Sequence, residues 1–396
     1  EAVGPHFEAD DIRMFRPRET ATNEMEYSLA GVSLMAMGRI PVGQLEGREI
    51  AVLVPWERRL AGPTKSKTTI KDAKDLIAYG KRMQDEVRTP GSNVTLPVIA
   101  YYGTGRLWQL RKVTAAKLQR TSRTIGYANC LDSGSNYKAF ADWFQYWSTN
   151  ALQVTLKAAE THSAPETLEF AQYIESVRSA INGCLAPTGW KDLTFSFARQ
   201  ELVASHDDHG QLPVSLLSDG LRNMIGLVAD IAFRATKLNP HLAAAASRES
   251  PGIVLIDEVD MHLHPAWQQV VLPGLTGVFP RIQFVVTTHS PQVLTSVPSE
   301  CIRVLGDGQV FAAPAGTEGA EASRVLKRVF GVDVRPPESP ATQELLEYLN
   351  LVDQDQGEAP RAIELRRVLD ERYRGEEPAL VRADLQIENR KWELGQ

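Results

Sequence analysis

The sequence predicts an α/β fold centred on a parallel or mixed sheet with crossover helices. An antiparallel β subdomain, a helical insertion and a C-terminal helical extension accompany it. Three features point to this class. Between residues 218 and 305 helical and strand patterns alternate, which builds parallel strands joined by crossover helices. "IVLI" (253–256) is a short, continuously apolar run, as a central strand of such a sheet requires. Residues 319–396 carry helical patterns only.

In chain order, "MEYSLAGVSLMAM" and "REIAVLVPW" alternate around a turn near Gly43–Gly47, which reads as an antiparallel hairpin within residues 25–60. "TTIKDAKDLIAYGKRMQDEV" places Ile70, Ala73, Leu76, Ile77, Met83 and Val87 at helical spacing. "VTLPVIAYYGTGR" reads as a strand ending in a Gly-rich turn. From Asn136 to Thr161 the spacing predicts a helix whose face of Phe140, Trp143, Phe144 and Trp147 serves a core rather than a ligand box. A second helix is expected to start at "SAPETLEF", with Ser163 as cap and Pro165 in the first turn. Residues 190–214 form a hairpin turning at "DDHG". Helix (218–238), strand (252–257), helix (265–275), strand (282–287), helix (290–296) and strand (301–305) follow. These elements divide the chain into four parts: an N-terminal lobe with the hairpin (1–110), a helical subdomain (111–190), the core (191–312) and a helical extension (313–396).

Composition excludes several function classes. With 396 residues, 43% hydrophobic and 23% charged, the chain is globular and long enough for one large domain or two lobes. A net charge of −6 gives no overall electrostatic pull toward nucleic acid. Cys130, Cys184 and Cys301 are scattered, which argues against a disulfide framework or zinc ribbon and for a reducing, cytoplasmic setting. No apolar run approaches the roughly 20 residues of a membrane-spanning helix, so no membrane partner is expected. "EAVGPHFEADD" lacks the apolar region of a signal peptide.

The chemistry concentrates in three stretches. In "GIVLIDEVDMHLHP" (252–265), Asp257 and Glu258 fall beyond the carboxyl end of a strand, where open α/β sheets bind ligands. Successive strand residues point to opposite faces, so the two acids suit separate tasks better than one shared proton. Asp257 is suited to hold Mg2+ through water, and Glu258 to polarise an attacking water. The plainer alternative is a pair of acids capping the next helix. "FVVTTHSP" (284–291) ends a second strand in Thr287, Thr288, His289 and Ser290. Its imidazole either senses a terminal phosphate or is an ordinary satisfied side chain. "LLSDGLRNM" (216–224) opens a helix with a hydroxyl, free N–H groups and a positive dipole end. That makes a phosphate site or simply a capped helix.

Together the stretches resemble the ATP-binding-cassette class of P-loop ATPases, the group that includes SMC, RecF and OLD-like proteins. "LSDGLR" resembles the signature motif, "IVLIDE" a Walker B strand with its glutamate, "DMHLHP" the D-loop and "TTHSP" the switch histidine. "LSDGLRNMIGLVADIAFRATKLNPHL", "GIVLIDEVDMHLHPAWQQ" and "IQFVVTTHSPQVL" are similar to stand-alone bacterial ATPases of the PtuA type, from Septu and retron-associated antiphage defence. "LPVIAYYGTGRLW" and "RADLQIENRKWE" extend the likeness to nearly the whole chain. The resemblance implies Glu258 and His289 as catalytic residues and Asp257 as the Mg2+ ligand. It implies ATP contacts from Ser218, Asp219, Gly220, Arg222, Asp260, His262 and His264. It also implies hydrolysis of ATP to ADP and phosphate by a head-to-tail homodimer that sandwiches ATP and can assemble further. The output would be a switch gating an effector such as an HNH nuclease. The alternative within the same class is a RecF- or SMC-like ATPase of DNA repair or maintenance. A transporter subunit fits poorly, because residues 319–396 and the 25–60 hairpin have no place in one.

The chain departs from that pattern at one motif. The 396 residues contain no GxxxxGK[ST], whose amides and lysine cradle phosphates. The expectation is a phosphate loop in an N-terminal portion ahead of Glu1, lost by truncation or processing; a degenerate, non-enzymatic scaffold is the alternative. The Q-loop role, expected near Tyr102–Arg106, is left unassigned. His262 and His264 are better explained as D-loop residues than as a metal pair, since no third ligand is near. "VDQD" (352–355) resembles a Toprim acidic motif but follows a helix rather than a strand. Arg106, Arg111, Lys112, Lys117, Arg120 and Arg123 lie in a stretch without acids. That stretch could contact DNA, RNA or an acidic partner, or form a solvated face neutralised by neighbours.

Overall fold

The computed structural model describes residues 12, 14–15, 26–27, 31–45, 48–62, 67–107, 122–132, 137–161, 169–393 and 395. Strands β1 (Val32–Leu45) and β2 (Arg48–Leu60) form the long antiparallel hairpin, with a register shift between Pro41 and Gly43. Pro41 has no N–H to give a ladder, which suits it to an irregular position. Helix α1 (Lys74–Arg88) follows a short 3-10 turn at Lys71–Ala73.

Among the described residues three strands make the parallel sheet: β3 (Val98–Tyr102), β7 (Gly252–Ile256) and β8 (Ile282–Val286), in the order β8-β7-β3. β7 is central, as its apolar run requires, with Gly252 paired to both Val98 and Ile282. Between β3 and β7 the chain builds α2 (Tyr137–Thr161) and α3 (Glu169–Leu185). Next come an antiparallel sheet of β4 (Trp190–Ser196), β5 (Glu201–His206) and β6 (Gly210–Pro213), then α4 (Asp219–Leu238). The expected cap at Ser163 and Pro165 lies outside the described residues.

One core joins these parts. Val98, Ala100 and Tyr102 of β3 and Val254 and Ile256 of β7 pack in the same cluster as Phe140, Trp143, Phe144 and Trp147. The aromatic face of α2 is therefore core. Trp143 also carries the Lys237 ammonium 3.6 Å above its ring. Asn239, fully buried after α4, holds the entries to two strands: it accepts from Leu96 N–H (2.7 Å) and donates to Leu96 O (2.9 Å) and Ser250 Oγ (2.8 Å). A buried amide satisfied on both atoms fixes one arrangement of the chains it joins.

Three expectations are corrected. The helix expected over 265–275 is broken into a turn at Pro265–Gln268 and α5 (Val271–Val278). Pro273 cannot donate to the fourth residue back, so the helix restarts where that proline falls in its first turn. The last strand of the alternating series does not join the parallel sheet. β9 (Arg303–Gly306) pairs with β10 (Gln309–Ala312) through an Asp307–Gly308 turn with both φ angles positive (50° and 73°), the geometry of a two-residue hairpin. Finally, β7 is not buried on both faces, because Ile253 and Leu255 are 50% and 40% exposed.

The C-terminal part is helical, as its pattern predicts: α6 (Ala322–Arg328), α7 (Pro340–Asp353), α8 (Pro360–Tyr373) and α9 (Pro378–Glu393). The last three enclose a separate apolar cluster around Leu345, Tyr348, Leu365, Leu369 and Leu380. Among the described residues no helix is long and apolar enough to cross a membrane.

Candidate functional site

The strand ends stay zipped past the sheet proper. Asp257 N–H donates to Tyr102 O (2.8 Å), Thr287 N–H to Ile256 O (3.0 Å) and Val259 N–H to Thr287 O (3.0 Å). At Glu258 the chain turns sharply, with φ 47°. A non-glycine residue in this conformation costs on the order of 1–3 kcal/mol and persists where its surroundings over-determine it. Here Glu258 N–H donates to Thr287 Oγ1 (2.9 Å), and the same hydroxyl donates to Asp257 Oδ1. One residue on, the Thr288 hydroxyl donates to Asp260 Oδ1 and accepts from Ser290 N–H (3.0 Å). Ser290 caps the turn that follows, accepting from Gln292 N–H (3.1 Å) and Val293 N–H (3.3 Å). Asp257 and Glu258 are half-buried, and His289 is exposed.

The second cluster is the start of α4. Ser218 is its N-cap and accepts from Leu221 N–H at 3.5 Å, while Asp219 pairs with Arg222 on the surface. Gly220 is buried directly on the turn after β7, and a Cβ there would lie 2.4 Å from His262 O. Asn223 Nδ2 donates to Met261 O (3.3 Å) in the same contact. His262 itself has φ 64° and an exposed side chain. His264 Nδ1 accepts from Ala266 N–H (3.3 Å), so this imidazole caps the following turn. The structure thus joins Asp257, Glu258 and Asp260 to the Thr287–Thr288 pair, and Gly220 to His262.

Because Gly220 meets backbone, which cannot yield, Gly220→Ala should push the α4 start off this turn. The expected loss is about 1–3 kcal/mol, the usual cost of overpacking. Urea unfolding of the variant checks it, and parent-like stability would mean the contact is loose.

Sequence reasoning missed the group that braces the site from below. Tyr102 OH donates to Asp230 Oδ2 (2.7 Å), and Arg234 Nε donates to the same oxygen (2.9 Å). Arg234 Nη1 also donates to Gly126 O (2.8 Å) and Ala128 O (3.0 Å). All three side chains are buried. Burial, and then the Asp230 carboxylate, push the Tyr102 hydroxyl well above its ordinary pKa. Burial alone would lower the Arg234 guanidinium, yet Asp230 beside it holds it above its usual range. The detectable sign was an Asp and an Arg four residues apart inside the apolar "MIGLVADIAFRATKL" (224–238).

Two other expectations take definite form. Arg123, at the end of the cation-rich stretch, is built into the fold: its Nε donates to Leu238 O (2.7 Å) and its Nη2 to Val94 O. Arg111, Lys112, Lys117 and Arg120 lie outside the described residues, as does the side chain of Arg106. In "VDQD", Asp353 accepts from Gln386 Nε2 (3.0 Å) and Asp355 pairs with Arg390. Among the described residues no three His, Cys, Asp or Glu side chains gather as a metal-binding group.

A model of the family described as "AAA domain, putative AbiEii toxin, Type IV TA system" matches residues 192–295, a span containing every candidate residue above from Ser218 to His289. The Retron Ec83 probable ATPase of Escherichia coli is 42% identical over 205 residues, 52% of this chain and 37% of that protein. The Retron Vc95 probable ATPase of Vibrio cholerae serotype O1 biovar El Tor is 28% identical over 283 residues, 61% of this chain and 54% of its own length. The Septu protein PtuA of Bacillus thuringiensis is 28% identical over 137 residues, 32% of this chain and 34% of that one. The chain therefore matches about a third to a half of the length of these relatives. By its sequence, this chain is similar to the retron ATPases and to Septu PtuA over part of their length, and it contains the AAA-domain match between residues 192 and 295.

Proposed function

We propose that this chain bears the working residues of an ATPase, splitting ATP to ADP and phosphate in a bacterial antiphage defence system. The observation that supports this best is the bonding of Asp257 and Glu258 to Thr287 at the carboxyl ends of two adjacent parallel strands, with His289 two residues further along the second. Ligands of open α/β sheets bind there. The side chains joined there by a hydrogen bond, Asp257 and Thr287, offer only oxygen, which suits Mg2+ better than a metal seeking thiolate or imidazole. Asp257 would hold that cation through water, and the cation would supply neutralising charge at the phosphates. Glu258 accepts the proton of the attacking water, and His289 donates a hydrogen bond to the terminal phosphate.

The signature end of α4 serves a second copy of the chain. Ser218 and Gly220, with Asp219 and Arg222, present a hydroxyl and a helix start to the phosphate bound by the partner, and Asp260, His262 and His264 line the dimer contact. Hydrolysis then resets the dimer, which gates an effector such as an HNH nuclease. The similarity to retron ATPases and to PtuA supports the defence setting. Contact with DNA or RNA through Arg106–Arg123 would rest on the cations other than Arg123, whose guanidinium is already engaged.

The dimer is tested at Ser218, which is exposed at the helix start. In the full-length protein Ser218→Arg should bind nucleotide as the parent does but lose ATP-dependent dimerisation. Calorimetry on the monomer and mass measurement in ATP check the two halves. A Ser218→Arg protein that still dimerises with ATP as the parent does would overturn the cross-protomer role of the α4 start.

A further inference from the structure

We infer that Thr287 is a positioning residue for both carboxylates of the proposed ATPase site, an inference that rests on the ATPase reading above. Its backbone is held on two sides, its N–H donating to Ile256 O (3.0 Å) and its carbonyl accepting from Val259 N–H (3.0 Å). These bonds lock its Cα to the far end of β7. A threonine side chain is stiff at χ1, so the hydroxyl position follows from the backbone.

That hydroxyl has one proton and two lone pairs. The proton goes to Asp257 Oδ1, and a lone pair receives Glu258 N–H at 2.9 Å. Donor and acceptor roles are thereby assigned without ambiguity, since a backbone N–H can only donate. One atom therefore fixes the rotation of the Asp257 carboxylate and the left-handed backbone of Glu258 at once. With Oδ1 engaged by Thr287, the orientation of Oδ2 is set for a cation. With the Glu258 N–H tethered, the side chain of the water-polarising residue leaves the backbone in one direction. Ligating carboxylates are commonly oriented by such outer hydrogen bonds, whose loss weakens metal binding about 10–100-fold.

A merely structural role fits Thr287 less well. The residue is exposed, so removing its hydroxyl opens no cavity, and valine keeps the branched outline while losing the hydroxyl's hydrogen bonds. The neighbouring Thr288 supplies an internal contrast. It is half-buried, and its hydroxyl serves Asp260 and Ser290 N–H rather than the two acids of the reaction.

The test uses the full-length protein with Mn2+ as the probe, in the presence of a non-hydrolysable ATP analogue. Electron paramagnetic resonance reads Mn2+ affinity, calorimetry reads nucleotide affinity without metal, and steady-state kinetics reads turnover. Thr287→Val should weaken Mn2+ about 10–100-fold and lower kcat, with metal-free nucleotide affinity and melting temperature kept. Thr287→Ser, which retains the hydroxyl, should restore Mn2+ affinity and kcat to nearly parental values. Thr288→Val should leave Mn2+ affinity close to the parent's. If Thr287→Val binds Mn2+ and turns over like the parent, the positioning role is wrong while the ATPase reading stands. The positioning role is equally overturned if Thr287→Ser is as impaired as the valine variant. A general folding defect in the valine variant would lower the melting temperature and nucleotide affinity together, leaving the serine variant to decide. A parent that neither binds Mn2+ with nucleotide nor hydrolyses ATP overturns both readings together.

Discussion

Glu258→Gln in the full-length protein is expected to cut ATP hydrolysis by about 10²–10⁴-fold, the contribution typical of a positioned general base. Nucleotide and Mg2+ binding should survive, because the amide has nearly the shape of the carboxylate and Asp257 is untouched. The expectation rests on the place of Glu258, immediately past the central strand, at a left-handed turn tied to Thr287 by its own N–H. The glutamine keeps that backbone bond and loses only the negative oxygen that, on the proposed reading, would draw a proton from water. The variant should therefore accumulate as the ATP-bound dimer, visible by mass. Turnover within about threefold of the parent would remove Glu258 from the general-base role, since loss of a transition-state interaction appears directly in kcat.

The largest effect on stability is expected at Asp230. Asp230→Ala strands the buried Arg234 guanidinium and the Tyr102 hydroxyl without their shared acceptor. Breaking a buried ion pair on one side costs about 3–5 kcal/mol, because the remaining charge stays desolvated. Urea unfolding followed by circular dichroism should show that loss. Asp230→Leu combined with Arg234→Met removes both charges and should regain much of it, since a buried pair replaced by apolar residues is often neutral. An Asp230→Ala variant within about 1 kcal/mol of the parent would place water or another donor in the network. The effect should reach the site too, as Tyr102 also receives the Asp257 N–H on its carbonyl.

How far sequence alone could see depends on the separation of the groups involved. The strand carrying "IVLI", the capped start of α4 and the paired acids were legible because each is a local pattern: a run of apolar residues, a Ser before a helix, two carboxylates at a strand end. Contiguous motifs likewise placed Asp257, Glu258 and His289 at the ends of adjacent strands, since parallel strands with crossovers bring their carboxyl ends to one edge. The break in the helix after Pro265 and the two-residue turn at Asp307–Gly308 were also local, and closer weight on Pro273 and on the Asp-Gly pair would have found them.

Other features belonged to the tertiary structure alone. Tyr102 and Asp230 are 128 residues apart, Thr287 and Asp257 are 30 apart, and Gly220 meets a carbonyl beyond the next strand. Periodicity says which face a residue occupies, but not which hydroxyl lies opposite which carboxylate. That depends on strand register and on how closely α4 packs against the turn. Nor could an apolar run reveal that Ile253 and Leu255 stay exposed, because exposure depends on which elements cover a face. The sequence by itself determined the chemical groups and the edge of the sheet where they stand. Only the packed chain decided their pairing, because a hydrogen bond acts over about 3 Å and local pattern carries no information at that range between distant segments.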